Sequence, residues 1–263
     1  MPICISYPEA GGGHALPLQL NVQNDEDIQL ALEKAKAEFG GIDILINNAS
    51  AIDNSQTHGL AVKKYDLMHS INARGTFMTT KFSLPYLFES SEAGRNPHVL
   101  NLSPPLAYDA RWVKMGGTAY SMAKFNMSQS AVGMAAEYEG RIGFNCLWPI
   151  TAIATSAVGM LGGTAALQLS RKKSIMSDSA HWILTQDNRE VSGYTFTDEE
   201  VMCGKLGLSQ SDLQKYRVNS WIPLPLIPDL YVGDVERMEW LMDKASMIGS
   251  FAKGSFLSGK KRG

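Results

Sequence analysis

Apolar residues along this chain fall into two alternating rhythms. Short, nearly all-apolar runs at Ile42–Ile46, His98–Leu102 and Ile142–Leu147 are separated by longer stretches in which apolar residues recur at helical spacing. The short runs fit strands of a parallel sheet covered on both faces, where neither side has to alternate with water. The longer stretches predict helices over 25–39, 61–87, 119–138 and 165–185. Asn24 or Asp25 caps the first of these and Gly40-Gly41 stops it. A strand-like run, His14–Leu20, precedes that helix and closes at Asn21-Val22, and Tyr194–Phe196 reads as a last strand. Thr151–Gly163 is flexible and glycine-punctuated, and Asp234–Ile248 is amphipathic ahead of a small basic end. Strands alternating with helices mean right-handed βαβ crossovers, so the fold class is α/β with a parallel sheet.

Composition narrows the setting. With 263 residues, 44% of them hydrophobic, the chain suffices for one α/β domain with a full core. A net charge of −2 gives no electrostatic case for nucleic acid or an acidic membrane surface. The three cysteines, Cys4, Cys146 and Cys203, share no metal or redox spacing and cannot all pair, which points to a reducing, intracellular compartment. No apolar run is long enough for a membrane span and no secretory signal is visible. The final Lys-Lys-Arg-Gly is no peroxisomal tripeptide, so a cytoplasmic or mitochondrial location is expected. The five histidines show no ligand spacing, and no metal site is expected.

Candidate chemistry concentrates between Ser103 and Lys124. Ser103 follows an apolar strand at the end where open α/β sheets place ligands. Tyr120 and Lys124 stand at i, i+4, one turn apart on one face of a predicted helix. A free tyrosine has a pKa of about 10, too high for proton transfer near neutrality. An ammonium one turn away favours the phenolate, and bringing the pKa to neutrality needs ~4 kcal/mol of differential stabilisation. Tyr120 could then exchange a proton with an alcohol or carbonyl oxygen that Ser103 also hydrogen-bonds. The hydride carrier such chemistry lacks would be a nicotinamide. Gly11-Gly12-Gly13 invites a phosphate-loop reading, but it precedes a strand rather than joining strand to helix, and reads as a plain turn.

Several motifs in the right order make the chain resemble the short-chain dehydrogenase/reductase family. Asn47-Asn48-Ala49-Ser50 is similar to the family's Asn-Asn-Ala-Gly turn, and Asn72 stands where the family keeps a helix asparagine. Ser103, Tyr120 and Lys124 match the rest of a catalytic tetrad. Trp148-Pro149-Ile150 and Thr155 resemble the segment lying against the nicotinamide, with Ile150 in place of a glycine and the threonine one position late. The runs 44–52, 100–106 and 147–157 look closer still to a hydroxysteroid dehydrogenase-like branch, over roughly Gly11 to Leu230.

The resemblance implies a Rossmann-like doubly wound parallel sheet, truncated at its N-terminus, with a reductase domain over 1–233 and a helix and basic tail over 234–263. It implies NAD(P)-dependent interconversion of a secondary alcohol and a carbonyl. Tyr120 would be the general acid/base and Lys124 its activator and ribose ligand, while Ser103 orients the substrate oxygen and Asn72 supports a relay water. The cofactor, NADP rather than NAD on balance, would be lined by Asn21, Val22, Asn47, Asn48, Ala49, Tyr120, Lys124, Pro149, Ile150 and Thr155. An apolar substrate, suggested by Met160, Leu161 and Leu167, and a homodimer or tetramer complete the picture. The family's first strand, glycine loop, first helix and second strand have no counterpart here. Two readings of that departure stand: a protein roughly 40–60 residues longer, about a βαβ unit, or a reductase-like subunit that no longer binds a dinucleotide.

Overall fold

A computed structural model describes residues 13–107 and 109–241. In chain order its regular elements are α1 (Asp25–Phe39), β1 (Ile44–Asn47), α2 (Val62–Met68), a π-helical turn His69–Gly75, α3 (Thr76–Glu92), β2 (His98–Asn101), α4 (Ala110–Gly116), α5 (Thr118–Glu137), β3 (Gly143–Trp148), α6 (Ser156–Gln168), α7 (Ser174–Thr185) and β4 (Thr195–Thr197), followed by a second π-helical turn, Glu200–Lys205, and a 3₁₀ turn, Asp212–Tyr216. The chain divides into two compact units. The first holds the described residues up to Leu106, Gly116–Trp148 and Ala180–Phe196; the second holds Ala107–Met115, Pro149–Ser179 and the residues from Thr197 onward.

The first unit is built on a sheet in the order β1-β2-β3-β4. β1 and β2 pair in parallel with Asn47 opposite Asn101, and β2 and β3 pair in parallel with Asn101 opposite Cys146. Leu87 of α3 and Met134 and Ala135 of α5 pack with Val99, Ile142 and Phe144 in one buried cluster. Each buried aliphatic or aromatic side chain there contributes about 1.5–3 kcal/mol from removed apolar surface. β2 and β3 are buried along their whole length, as strands covered on both faces should be. β1 differs: among the described residues it is paired on one side only, and Ile44 and Ile46 are about half exposed.

Local signals explain α1 at both ends. The Asn24 side chain accepts from the Glu26 and Asp27 amides, and three acidic residues in the first turn complement the helix dipole. Gly40 ends the helix with φ +82° and donates to the Lys36 carbonyl. The expected long helix over 61–87 is one continuous run with a π-helical turn at its centre, a feature frequent at functional sites.

Some expectations are corrected. Residues 14–20 form no strand: they are mostly exposed, Pro17 offers no N–H, and no described strand pairs with them. The expected helix 165–185 is two, because Arg171 leaves helical geometry to bridge Ile153 and Arg217. α4 carries no strong periodic signal and went unpredicted. Residues 235–241 begin the expected C-terminal helix; its remainder, the basic tail, Gly11 and Gly12 lie outside the described residues. In the second unit, residues 150–154 thread between 169–172 and 227–229. Arg171 N–H donates to Ala152 O, Ala154 N–H to Arg171 O and Ala152 N–H to Ile227 O, each at 2.9 Å. Ile153, Ile175, Met202, Leu213 and Tyr216 form the core beneath them.

Candidate active site

The carboxyl ends of β1 and β2 lie side by side, which sets Asn47 beside the strand that leads to Ser103. Asn47 and Asn101, opposite one another, are joined through side chains: Asn47 Nδ2 donates to Asn101 Oδ1 at 2.8 Å and to Thr80 Oγ1 at 3.0 Å. Asn101 Nδ2 donates in turn to the Met127 carbonyl on α5 at 2.9 Å. A buried network with every member paired fixes β1, β2, α3 and α5 relative to one another. Asn101 was not predicted; its signal was a polar residue inside an otherwise apolar strand.

Two residues past β2, Ser103 is fully buried. Lys124 lies almost as deep, 3% exposed, and donates to the Leu102 carbonyl at 2.8 Å. Its ammonium also stands 5.2 Å from the centre of the Trp148 ring, a cation–π contact. Lys124 is therefore held against the residue preceding Ser103, while the i, i+4 spacing on α5 puts Tyr120, 5% exposed, one turn back on the same helix.

Asn72 sits in the π-helical turn with no exposed surface. Its Oδ1 accepts from Ala51 N–H at 2.8 Å and its Nδ2 donates to Ala51 O at 2.9 Å. The side chain therefore clasps the loop after β1, the loop carrying the exposed Asn48 and Ala49. Val22, Asn47 and Ala49 share one small depression with Ile71, Gly75, Thr76 and Thr79. Gly75, missed in the sequence, is needed there: a Cβ would stand 3.0 Å from Val22 Cγ2 and 3.1 Å from its carbonyl oxygen. Asn21 Oδ1 accepts from Gln23 N–H at 3.1 Å in a local turn.

Pro149, Ile150 and Thr155 belong to the second unit. Thr155 caps α6, its Oγ1 accepting from Val158 N–H at 3.4 Å. Ile150 N–H donates to Asp198 Oδ1 at 2.8 Å. Asp198 is fully buried, and desolvation pushes its carboxyl up to about 6 against the opposing pull of the Ile150 amide and the Arg171 charge. Arg171 Nη1 lies 3.6 Å from Asp198 Oδ2, an ion pair too long for a hydrogen bond, while Arg171 Nη2 pairs with Glu199 at 2.7 Å. Neither Asp198 nor Arg171 stood out in the sequence, because both look like ordinary surface charges until the fold buries them.

Among the described residues there is no cluster of three or more potential metal ligands, and no helix is long and apolar enough to cross a membrane.

A parallel sheet flanked by helices is the architecture that this chain shares with one large class of proteins. The family model for short chain dehydrogenases matches residues 3–161, and the chain belongs to that family. Among its relatives, hydroxysteroid dehydrogenase-like protein 2 of Xenopus laevis is 43% identical over 254 residues, 97% of this chain and 57% of that protein. The protein of the same name from Danio rerio is 43% identical over 224 residues, 85% of this chain and 51% of its own length. The chain thus spans about half the length of the curated relatives it matches. A short chain dehydrogenase structure from Mycobacterium thermoresistibile, 36% identical, superposes with a TM-score of 0.73, covering 84% of this chain and 75% of that one.

Proposed function

We propose that the protein is an NAD(P)-dependent oxidoreductase interconverting a secondary alcohol and a carbonyl, with Tyr120 as the general acid/base. The observation that carries this reading is the placement of Lys124: a buried ammonium one turn from Tyr120, anchored to the Leu102 carbonyl beside Ser103. In reduction, Tyr120 gives its hydroxyl proton to the substrate oxygen, and Lys124 stabilises the phenolate left behind. Ser103 donates a hydrogen bond to that same oxygen as negative charge develops on it. Asn72 holds the Ala51 loop in place and supports a water that returns the proton to Tyr120.

Val22, Asn47 and Ala49, which share a small depression at the end of β1, are taken as part of the cofactor lining, at the strand end where open α/β sheets bind ligands. In the first unit Asn21, Asn48, Tyr120 and Lys124 complete the proposed lining, with NADP preferred on family likeness; in the second unit Pro149, Ile150 and Thr155 are proposed cofactor residues. When bound, the nicotinamide supplies or accepts the hydride. The substrate is taken to be a small apolar alcohol or carbonyl, the assembly a homodimer or tetramer, and residues 1–233 a reductase domain followed by a tail.

A second reading, a reductase-like subunit without turnover, draws on the fact that no glycine loop joining a strand to a helix N-terminus occurs among the described residues. Tyr120→Phe separates the two. Assayed with NADPH and a medium-chain methyl ketone, it should lower kcat by ~100-fold or more with an unchanged unfolding midpoint. Turnover within a factor of two of wild type would rule out Tyr120 as the acid.

A further inference from the structure

Within the second unit, the segment 149–155 is held along most of its length by backbone partners. Thr151 bridges Pro228, the 152–154 stretch is laddered to Arg171 and Ile227, and Asp229 N–H donates to the Ile150 carbonyl at 2.9 Å. At the Ile150 N–H the hold passes to a side chain, Asp198 Oδ1 at 2.8 Å. The same oxygen accepts from Glu199 N–H at 2.9 Å. Asp198 Oδ2 makes no hydrogen bond, nor does Arg171 Nη1, 3.6 Å away, so charge alone links the two.

A carboxylate with no solvent exposure is a costly acceptor for one amide. Desolvation largely offsets the attraction in a buried ion pair, so such a pair does little for net stability. What it fixes here is position. Glu199 Oε1 anchors Arg171 Nη2 at 2.7 Å, and the Arg171 charge favours the ionised form of Asp198. An ionised oxygen binds the Ile150 N–H more strongly than a neutral acceptor does. We infer that Asp198 is a positioning residue for the cofactor, its Oδ1 fixing the Ile150 peptide so that residues 149–155 keep one backbone course. This rests on the oxidoreductase reading above, in which those residues line the cofactor. The charged and titratable groups facing Asp198 are Arg171 across the bridge and Glu199 and Cys203 on its own stretch. From α7 it meets only the neutral Ser179 hydroxyl among the described residues, because Asp178 there accepts from the Tyr216 hydroxyl.

The test is calorimetric titration of the full chain with oxidised NAD, which has no group ionising in the range, between about pH 7.5 and about pH 5. Hydrogen exchange at the Ile150 amide is followed over the same range without cofactor. The Asp198 carboxyl titrates at about 6. Binding that favours its charged form is fully present above that value and weakens below it. The wild-type Kd should therefore rise about threefold or more on acidification, and protection of Ile150, corrected for intrinsic exchange, should fall. Asp198→Asn, which offers a neutral acceptor at every pH, should bind about fivefold more weakly at neutral pH and lose the slope. Glu199→Gln, a milder change, removes a charge that raises the Asp198 pKa, so the midpoint of the slope should move to lower pH. An equal slope in Asp198→Asn, a flat wild-type profile, an unmoved midpoint in Glu199→Gln, or unchanged Ile150 protection would each overturn the proposal. A folded wild type that binds no dinucleotide at any pH would instead overturn the oxidoreductase reading and the cofactor role with it, while exchange at Ile150 reads the hold without any cofactor.

Discussion

Replacing Asn72 by alanine should release the loop after β1, and the structure fixes how much that costs. The two hydrogen bonds to Ala51, at 2.8 and 2.9 Å, are both made by a side chain with no solvent exposure. Each is worth about 0.5–1.5 kcal/mol net, and the truncated amide leaves a small void worth about 1 kcal/mol more. Ala51 is only partly buried, so water can reach its freed N–H and C=O and the full penalty of stranded polar groups does not apply. The sum is ~2–4 kcal/mol, equivalent to a Tm lower by roughly 5–15 °C at 2–4 °C per kcal/mol for a chain of this size. Urea unfolding followed by tryptophan fluorescence gives the stability change, and hydrogen exchange at the Ala51 amide locates it. Asn72→Asp keeps the acceptor for Ala51 N–H but faces the Ala51 carbonyl with negative charge, so it should fall between wild type and alanine. A loss below ~0.5 kcal/mol for Asn72→Ala, or unchanged exchange at Ala51, would refute the clasp.

Two further outcomes follow from the first unit. Burial lowers the pKa of His98 below its usual 6.5, with the Gln186 carbonyl and Asp187 charge pulling the other way. The unfolded chain then binds the proton more readily than the folded one. The stability tied to His98 should be complete above about pH 6.5 and decline as pH falls through 6.5 towards the folded value; a urea midpoint rising on acidification from about pH 7 to 5.5 would contradict this. Gly117 opens α5 at φ +80°, and a Cβ there would stand 3.1 Å from the Asn54 carbonyl carbon, so Gly117→Ala should cost ~1–3 kcal/mol. Gly133→Ala in the same helix, where a Cβ meets nothing within 4 Å, should be neutral or stabilising by about 0.5–1 kcal/mol. Equal thermal shifts for the two variants would remove the conformational argument.

Features that local rules govern were legible in the sequence. Asn24 caps α1 with its side chain and Gly40 with its left-handed backbone, the apolar runs at 44–47, 98–101 and 143–148 are strands, and the tyrosine–lysine pair lies on one helix face. What escaped depends on distant partners. His14–Leu20 alternates like a strand but lacks a described neighbour to pair with, so its pattern decides nothing. Arg171 is a good helix former that nevertheless breaks a helix, because the Ile153 and Arg217 backbones and the Asp198–Glu199 carboxylates claim it. Asn101 and Gly75 gain their meaning only when α5 and the Val22 turn come within a few ångströms of them.

The central claim is that this chain carries the chemistry of a nicotinamide-dependent reductase. Titration of the folded 263-residue protein with NADPH and with NADH, followed by cofactor fluorescence, tests it most directly. Saturable binding in the micromolar range, tighter for NADPH and weakened by Lys124→Ala, is the expected result. A protein that unfolds cooperatively yet binds neither nucleotide would contradict the claim.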